Sequence, residues 1–386
     1  MSGAAHISTR FRALDGWRGV CALLVAAHHL EAHGALYWQP LVRNAWLFVD
    51  FFFVLSGFVI AHAYGAHLAK GPEIKAFVIR RFGRLWPLHA AMLLALVGLE
   101  LAHLVIAHWH PIAGERAAFT ADRSPYAILT NLFLIQSLGL HPTETWNGPA
   151  WSISTEFYTY LVFTAVCFVT PARRVRLAAS LLLAIAGVAI LARFSQYGMR
   201  ETFGWGFLRC LHGFFTGVLT YELWKTGAAA RIAGTAAEIA ALAAVIAFIT
   251  VVPGHATLEY LATPLFAVAV LVFAGERGIV SRALISRPAA ALGRWSYSIY
   301  MVHTLVLAVL FSAVHIGELE FHRRWLIDLK DGRAILELGS APANDVLMLL
   351  YLAAVIAVAA LTWRIVERPG QRFFAPKTAE IPAQSP

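Results

Sequence analysis

The chain has 386 residues, of which 59% are hydrophobic and 14% are charged, and its formal net charge is +9. This composition excludes an ordinary soluble domain and is typical of a polytopic membrane protein. The basic residues fall in short loops between apolar stretches, where they orient membrane proteins, so we expect no nucleic-acid partner.

Apolar stretches of about 20 residues, the length that crosses a bilayer, recur along the chain. We therefore predict an all-α polytopic membrane protein with about ten transmembrane helices. The predicted spans are residues 14–32, 45–66, 87–108, 150–170, 175–193, 206–224, 235–252, 257–275, 291–315 and 344–366. The stretch 126–138 is too short to cross comfortably and is predicted to be interfacial or re-entrant.

Lysine and arginine are unequally divided between alternate loops. With the N-terminus inside, the cytoplasmic segments hold about twice as many as the outside loops, which predicts that both termini are cytoplasmic. We expect tails at 1–13 and 370–386, the second disordered, around a transmembrane domain at 14–369. Two long outside loops, 109–149 and 316–343, are where an acceptor would be recognised, and the second is expected to form a short helix over the outer surface.

The apolar stretch LDGWRGVCALLVAAHHLE near the N-terminus contains an aspartate, an arginine and two histidines. Eleven residues separate Arg18 from His29, which places both on nearly the same helix face, about 16 Å apart. In the predicted topology Arg18 lies near the cytoplasm and His29 in the outer third. His28 points about 100° away from His29, so packing or contact with water is expected for it.

Two carboxylates, Asp50 and Glu156, are predicted at the depth of His29 in neighbouring spans. A histidine flanked by carboxylates is a general-base arrangement, because the carboxylate fixes the tautomer and stabilises the imidazolium that forms. We predict that these three side chains meet and are catalytic, since idle ionisable groups are costly inside a bilayer. The alternatives are that His29 only reaches interfacial water and that Glu156 caps or pairs locally.

Three arginines lie among aromatic residues in the segment EIKAFVIRRFGRLWPLH, which ends as a span begins. Arg80, Arg81 and Arg84 are predicted to bind the phosphates of a nucleotide-bearing cofactor together with Arg18. The alternative is that they anchor an interfacial segment in the membrane. The three cysteines all fall inside predicted spans and show no metal-type spacing, so no metal is expected.

Four further residues are candidates for substrate binding: Trp151, Ser152, Tyr297 and His303. Trp151 has an alternative role as an anchor at the membrane interface, where tryptophan is enriched. For His303 the alternative is a histidine that only packs within an aromatic helix.

Five motifs in chain order together resemble the acyltransferase-3 family of integral-membrane O-acyltransferases. They are LDGWRG with the spacing from Arg18 to His29, VDFFFVLSGF at 49–58, FVIRRFGRLWP at 77–87, WSISTE at 151–156 and SYSIYMVH at 296–303. The resemblance implies a ten-span core that moves an acyl group, usually acetyl, from acyl-CoA to a hydroxyl. It also implies that Arg18 and His29 are essential and that the basic loop engages the CoA phosphates.

The resemblance implies a multi-pass protein of the bacterial plasma membrane, with acetyl-CoA or another acyl-CoA as co-substrate. The acceptor it implies is a glycan, a lipid-linked sugar, a peptidoglycan-like polymer or a natural product. No esterase-like domain is expected after the last span. The residues leave open an acylated small molecule, an acyl-enzyme intermediate, and a secondary transporter whose ionisable residues relay protons. The oligomeric state stays open.

Overall fold

The computed structural model describes residues 10–65, 68, 71–109, 117–170, 172–328 and 334–375. Helices form nearly all of the regular structure in these residues, which confirms the all-α prediction. The helices are α1 (Arg12–His29), α2 (Pro40–Arg43), α3 (Phe48–Tyr64), α4 (Gly71–Trp109), α5 (Pro125–Leu132), α6 (Trp151–Val169), α7 (Arg173–Phe194), α8 (Gly206–Trp224), α9 (Ala228–Ile232), α10 (Thr235–Val251), α11 (Ala256–Glu259), α12 (Ala262–Phe273), α13 (Ile279–Leu284), α14 (Arg287–Phe321), α15 (Ala341–Thr362) and α16 (Arg368–Phe373). A π-helical turn, Trp363–Glu367, joins α15 to α16.

Seven helical segments of the described chain are long and apolar enough to cross a membrane. They are Ala45–Tyr64, Gly71–Trp109, Gly148–Val169, Arg173–Phe194, Ala256–Phe273, Arg287–Phe321 and Ala341–Phe373. The other three predicted spans coincide with α1, which holds Arg12, Asp15 and Arg18, with α8, which holds Arg209 and Glu222, and with α10, which has 17 residues. A multi-pass membrane protein is thus supported, while the number ten and the location of the termini stay predictions.

Several element boundaries differ from those predicted. The basic segment is helical and continues through Pro87 into the span, so that α4 is one helix of 39 residues. At the other end, α16 runs to Phe373, four residues into the predicted tail. The rest of that tail and residues 1–9 lie mostly outside the described residues. Within the stretch 126–138, α5 has eight residues and a length of about 12 Å, which is too short to cross a bilayer.

Helices α1 and α14 pack closely against each other. A Cβ atom on Gly19 would lie 2.5 Å from the carbonyl carbon of Leu292, and one on Gly293 would lie 2.5 Å from the carbonyl oxygen of Asp15. The two helices therefore approach at their backbones, as helices do where small residues face each other.

Glycines also bring α3 and α8 into contact. A Cβ atom on Gly57 would lie 1.8 Å from the carbonyl oxygen of Phe214, and one on Gly217 would lie 1.9 Å from that of Val54. No side chain fits at either position unless the helices move apart. This contact matters for the site because both helices form cavity walls.

We expect Gly57→Ala to destabilise the protein by about 1–3 kcal/mol or more, since overpacking forces backbone shifts. The measurement is thermal unfolding of the purified variant in detergent. Gly98→Ala is the matched control, because a Cβ atom there meets nothing within 4 Å and Gly98 also lies in a membrane-length helix. Equal melting temperatures for the two variants would contradict the close contact.

The segment after α14, predicted to be an outside loop, contains two paired strands, and the predicted short helix over the outer surface is wrong. Strands β1 (Leu326–Asp328) and β2 (Ala334–Leu336) pair antiparallel. The backbone N–H of Leu336 donates to the carbonyl of Glu31 at 2.8 Å, and His33 N–H donates to the carbonyl of Leu336 at 2.8 Å. Extended backbone satisfies these groups just beyond the end of α1, which a helix would not do.

Candidate functional site

Two cavities lie along the path from Arg18 to His29. The first, here called the arginine cavity, has a volume of about 140 Å³. Its charged and polar lining residues are Arg18, Ser56, Arg81, Arg84, Ser152, Glu156, Tyr160, Ser296, Tyr297 and Tyr300. It therefore combines three arginines with one carboxylate, at the end of α1 that is predicted to face the cytoplasm.

The second, here called the histidine cavity, has a volume of about 690 Å³. Its charged, polar and aromatic lining includes His28, His29, Trp38, Arg43, Asn44, Trp46, Glu144, Trp151, Arg200, Thr202 and Arg209. Val49 and Tyr300 line both cavities, so these two residues form the partition between them. A volume of this size is in the range of sites for small-molecule ligands.

His29 is oriented by a backbone carbonyl. Its Nδ1 lies 2.8 Å from the carbonyl oxygen of Val25, one turn earlier on α1. Because a carbonyl only accepts, Nδ1 carries the hydrogen and Nε2 keeps its lone pair. The partly exposed ring lines the histidine cavity, which gives His29 the tautomer and the access that a general base requires.

His303 lies beside His29, with ring centroids 4.8 Å apart. The side chain is fully buried, and its Nδ1 lies 3.3 Å from the carbonyl oxygen of Ile299. Gly19 of α1 contacts Gly293 of α14, and the two helices run parallel from that contact. His29 and His303 each follow ten residues later, so their imidazoles lie together. The contact joins His303 to the candidate base, whereas sequence reasoning assigned it to substrate binding.

Asp50 lies in a buried ion pair and does not orient His29. Arg209 donates from Nε to Asp50 Oδ1 at 2.9 Å and from Nη2 to Oδ2 at 2.7 Å, and both side chains are almost completely buried. Arg209 also donates to the carbonyl of Glu201 at 3.0 Å and lies over the ring of Trp151 at 5.2 Å. Both Asp50 oxygens accept from one guanidinium, so the expected meeting of three catalytic groups is not observed.

Glu156 lines the arginine cavity and lies away from the histidine pair. It accepts a hydrogen bond from Tyr160 at 2.7 Å, and the same hydroxyl lies 3.0 Å from Ser56 Oγ. The physical reason is depth along α6. Glu156 follows Trp151 by five residues, about 7.5 Å further along the helix, and Trp151 is the residue that lines the histidine cavity.

The four predicted cofactor-binding arginines have different partners. Arg18 is partly exposed, with Asp15 3.8 Å away, and Arg81 contacts Tyr64 through a hydrogen bond of 3.3 Å. Arg84 donates to Glu367, a carboxylate that is 1% exposed, so its charge is already balanced. Arg80 does not line the cavity.

Two arginines in the segment that lines the arginine cavity have buried N–H groups without a hydrogen-bond partner in the described part of the chain. Arg80 Nη2 and Arg81 Nε are buried and have no hydrogen-bond partner among the described residues. Such donors suit an anionic group that the protein itself does not supply. Within the same part of the chain, no three His, Cys, Asp or Glu side chains are grouped to hold a metal ion.

The other predicted substrate-binding residues lie around the partition. Trp151 lines the histidine cavity, and Tyr297 lines the arginine cavity and donates to the carbonyl of Leu85. Ser152 Oγ lies 2.9 Å from the hydroxyl of Tyr300, which also donates to the carbonyl of Pro149 at 3.0 Å. These bonds hold the Tyr300 ring between the two cavities.

Sequence reasoning missed two contributors to the site, Arg209 and Tyr300. An arginine within an apolar stretch needs a carboxylate at its own depth, and this signal was available for Arg209 with Asp50. The position of Tyr300 between two cavities had no such signal, since it depends on how α3, α6 and α14 pack.

The chain matches the acyltransferase domain of the acyltransferase-3 family over residues 11–364. It is 27% identical over 408 aligned residues to acyltransferase MdmB of Streptomyces mycarofaciens, covering 98% of this chain and 96% of the relative. It is 31% identical over 192 residues to protein 2 in the picA locus of Rhizobium radiobacter, covering 49% of this chain and 96% of the relative. Peptidoglycan O-acetyltransferase OatA of Listeria monocytogenes is 29% identical over 164 residues, 40% of this chain and 24% of OatA. No solved structure matches the chain.

Proposed function

Because the chain belongs to the acyltransferase-3 family of membrane O-acyltransferases, we propose that it moves an acetyl group from acetyl-CoA to a hydroxyl of an envelope glycan or lipid-linked sugar. The family membership decides for an enzyme over the transporter alternative. The observation that carries the proposal is the His29 Nε2 lone pair in a ligand-sized cavity, separated from an arginine-lined cavity by Val49 and Tyr300.

The donor is proposed to enter on the side of the arginine cavity. Arg18 and Arg81 line that cavity, with Asp15 3.8 Å from Arg18 and the Tyr64 hydroxyl 3.3 Å from Arg81. Charge-assisted hydrogen bonds from guanidinium groups to phosphate are strong. Arg18 and His29 are about 16 Å apart along α1, a distance that the pantetheine arm of CoA bridges when it is extended. The thioester would then pass the partition formed by Val49 and Tyr300.

The chemistry follows from the tautomer of His29. Its Nε2 removes the proton from the acceptor hydroxyl as that oxygen attacks the thioester carbonyl. The bond from carbon to sulfur then breaks, and the imidazolium returns its proton to the thiolate. The products are an O-acyl ester, free CoA and neutral His29. Transfer is thus direct, through a complex of enzyme with both substrates, with no acylated residue.

The acceptor is proposed to occupy the histidine cavity. Its lining combines aromatic rings such as Trp38 with charged groups such as Arg43 and Glu144, which suits a polar, hydroxyl-rich ligand. OatA is described as a peptidoglycan O-acetyltransferase, which supports a carbohydrate acceptor, and the relatives are bacterial, which supports the plasma membrane.

Two linked measurements test this function. Envelope glycans and secreted metabolites from cells with and without the gene are compared by mass spectrometry, and we expect one acetyl ester to be lost. Purified protein is then given acetyl-CoA and an envelope extract from the cells that lack the gene, and free CoA is followed with a thiol reagent. Unchanged glycans together with no CoA release would contradict the proposal.

We expect Arg18→Gln and Arg81→Gln to raise the KM for acetyl-CoA about 10-fold each, with little change in the apparent KM for the acceptor extract. The reason is that each substitution removes one charge-assisted contact to phosphate. The measurement is initial CoA release at varied acetyl-CoA. Arg231→Gln serves as the control, because Arg231 is exposed and lines neither cavity. Equal effects on both substrates would argue for a structural role.

A further inference from the structure

The imidazoles of His29 and His303 lie side by side and have matching hydrogen bonds. Each ring has its Nδ1 beside a main-chain carbonyl four residues earlier, at 2.8 Å for His29 and 3.3 Å for His303. Carbonyls only accept, so both Nδ1 atoms carry hydrogen and both Nε2 atoms keep lone pairs. The rings, 4.8 Å apart, are therefore two neutral bases held in the same tautomer.

His303 has a buried acceptor that the described residues leave unused. The side chain is 0% exposed, and its Nε2 has no hydrogen-bond partner. Leaving such a group unsatisfied costs free energy, and an apolar residue of similar shape would avoid that cost. His89, another buried histidine of the described chain, also has one ring nitrogen without a partner, and what sets His303 apart is that its ring lies against that of His29.

We propose that His29 and His303 act as a one-proton pair, in which His303 is a positioning residue that stabilises the proton that His29 takes from the acceptor. This inference rests on the proposed function. The hydroxyl proton moves to His29 Nε2 and leaves again to the CoA thiolate, while the lone pair of His303 lowers the energy of the intervening imidazolium. His303 gains no proton over the cycle, and the two close rings do not both hold a positive charge.

Other titratable and charged groups surround the pair. His28 has its ring 5.2 Å from that of His29, Tyr300 has its ring 5.9 Å from that of His303, and Tyr351 of α15 donates to the carbonyl of Ala26 on α1. The charged groups near the histidine cavity or the end of α1 are Glu31, Arg43, Glu144, Arg200 and Arg209. His303 is the fully buried imidazole among these groups, and the test therefore varies it directly.

The experiment measures the pH dependence of maximal CoA release for His303→Phe and His303→Gln, with acetyl-CoA and the envelope extract as substrates. Loss of the second lone pair makes His29 a weaker base. For the Phe variant we therefore expect a rate at least about 10-fold lower and a rising limb displaced by about one unit to lower pH. The Gln variant retains an acceptor oxygen and is expected to lie between Phe and the unaltered enzyme.

Several outcomes separate this proposal from its alternatives. The proposed pair would be contradicted if His303→Phe has an unchanged rate and pH profile, or if the rising limb of its pH profile moves to higher pH. If the Phe variant does not fold, His303→Met gives the same test. His89→Phe is the matched control, because His89 is also buried and bonded to a carbonyl but lies outside both cavities, so its limb should not move. His29→Ala, measured in parallel, tests the proposed function itself. If His29→Ala loses turnover while His303→Phe behaves like the unaltered enzyme, only the proposed pair is rejected.

Discussion

We expect turnover to fall at least about 100-fold when His29 is replaced by alanine, because general-base assistance contributes about 10²–10⁴ in rate. His29 lines the histidine cavity, and the carbonyl of Val25 fixes its tautomer so that Nε2 keeps its lone pair. Since the acceptor proton has no other base in this account, the loss appears in kcat. The measurement is CoA release by purified protein at saturating acetyl-CoA.

Two controls make the His29 result specific. Binding of acetyl-CoA to His29→Ala, followed by calorimetry, should be close to that of the unaltered protein, because the proposed phosphate contacts lie at Arg18 and Arg81. The variant should also retain its melting temperature in detergent, since His29 is partly exposed to the cavity. A folded His29→Ala that turns over normally would remove His29 from the chemistry.

Replacing either member of the Asp50–Arg209 pair destabilises the protein by about 3–5 kcal/mol, because the remaining charge is left buried and unpaired. The pair is bidentate, its exposed fractions are 0% for Asp50 and 2% for Arg209, and it joins α3 to α8. We expect Asp50→Asn and Arg209→Gln each to lower the midpoint temperature of unfolding in detergent. This measurement does not depend on catalytic activity.

The double variant Asp50→Leu with Arg209→Met is the decisive comparison for this pair. Removing both charges replaces the ion pair with apolar volume, which is often neutral or stabilising. Its unfolding midpoint should therefore lie above that of both single variants. Full stability of Asp50→Asn alone would show that Asp50 is available for another role, such as the orientation of His29 that the sequence suggested.

The alignment of Arg18 with His29 is the part of the site that sequence reasoning predicts well. It depends only on the regular geometry of one helix, and α1 is continuous from Arg12 to His29. The structure places the two residues at different cavities. The relative position of two side chains on one helix can thus be predicted from their spacing in the sequence.

The partners of Asp50 and Glu156 were not predictable from depth alone. Two side chains at the depth of Asp50, His29 and Arg209, were possible partners. Asp50 pairs with Arg209 because α3 and α8 approach closely at Gly57 and Gly217. Glu156 lies about one and a half turns beyond the level of Trp151 and lines the arginine cavity, although the predicted span 150–170 agrees closely with α6.

The contact of His29 with His303 shows why pairs between distant helices escape single-sequence reasoning. Each histidine on its own can be explained as a packing or interfacial residue, and the 273 residues between the two positions contain no signal that joins them. Only the register of α1 against α14, set by Gly19 and Gly293, brings the rings together. Similarly, β1 and β2 form where the backbone just beyond α1 hydrogen-bonds to Leu336 of β2.

We propose that donor and acceptor reach His29 from opposite faces of the membrane. Sealed proteoliposomes, sorted by orientation with a tag at the C-terminus, test it most directly when radiolabelled acetyl-CoA is on one side and the envelope extract is on the other. We predict labelled acceptor only when acetyl-CoA is on the side of the C-terminal tag and the extract is opposite. Labelling with acetyl-CoA on the other side alone, or equal labelling in both arrangements, would contradict the account.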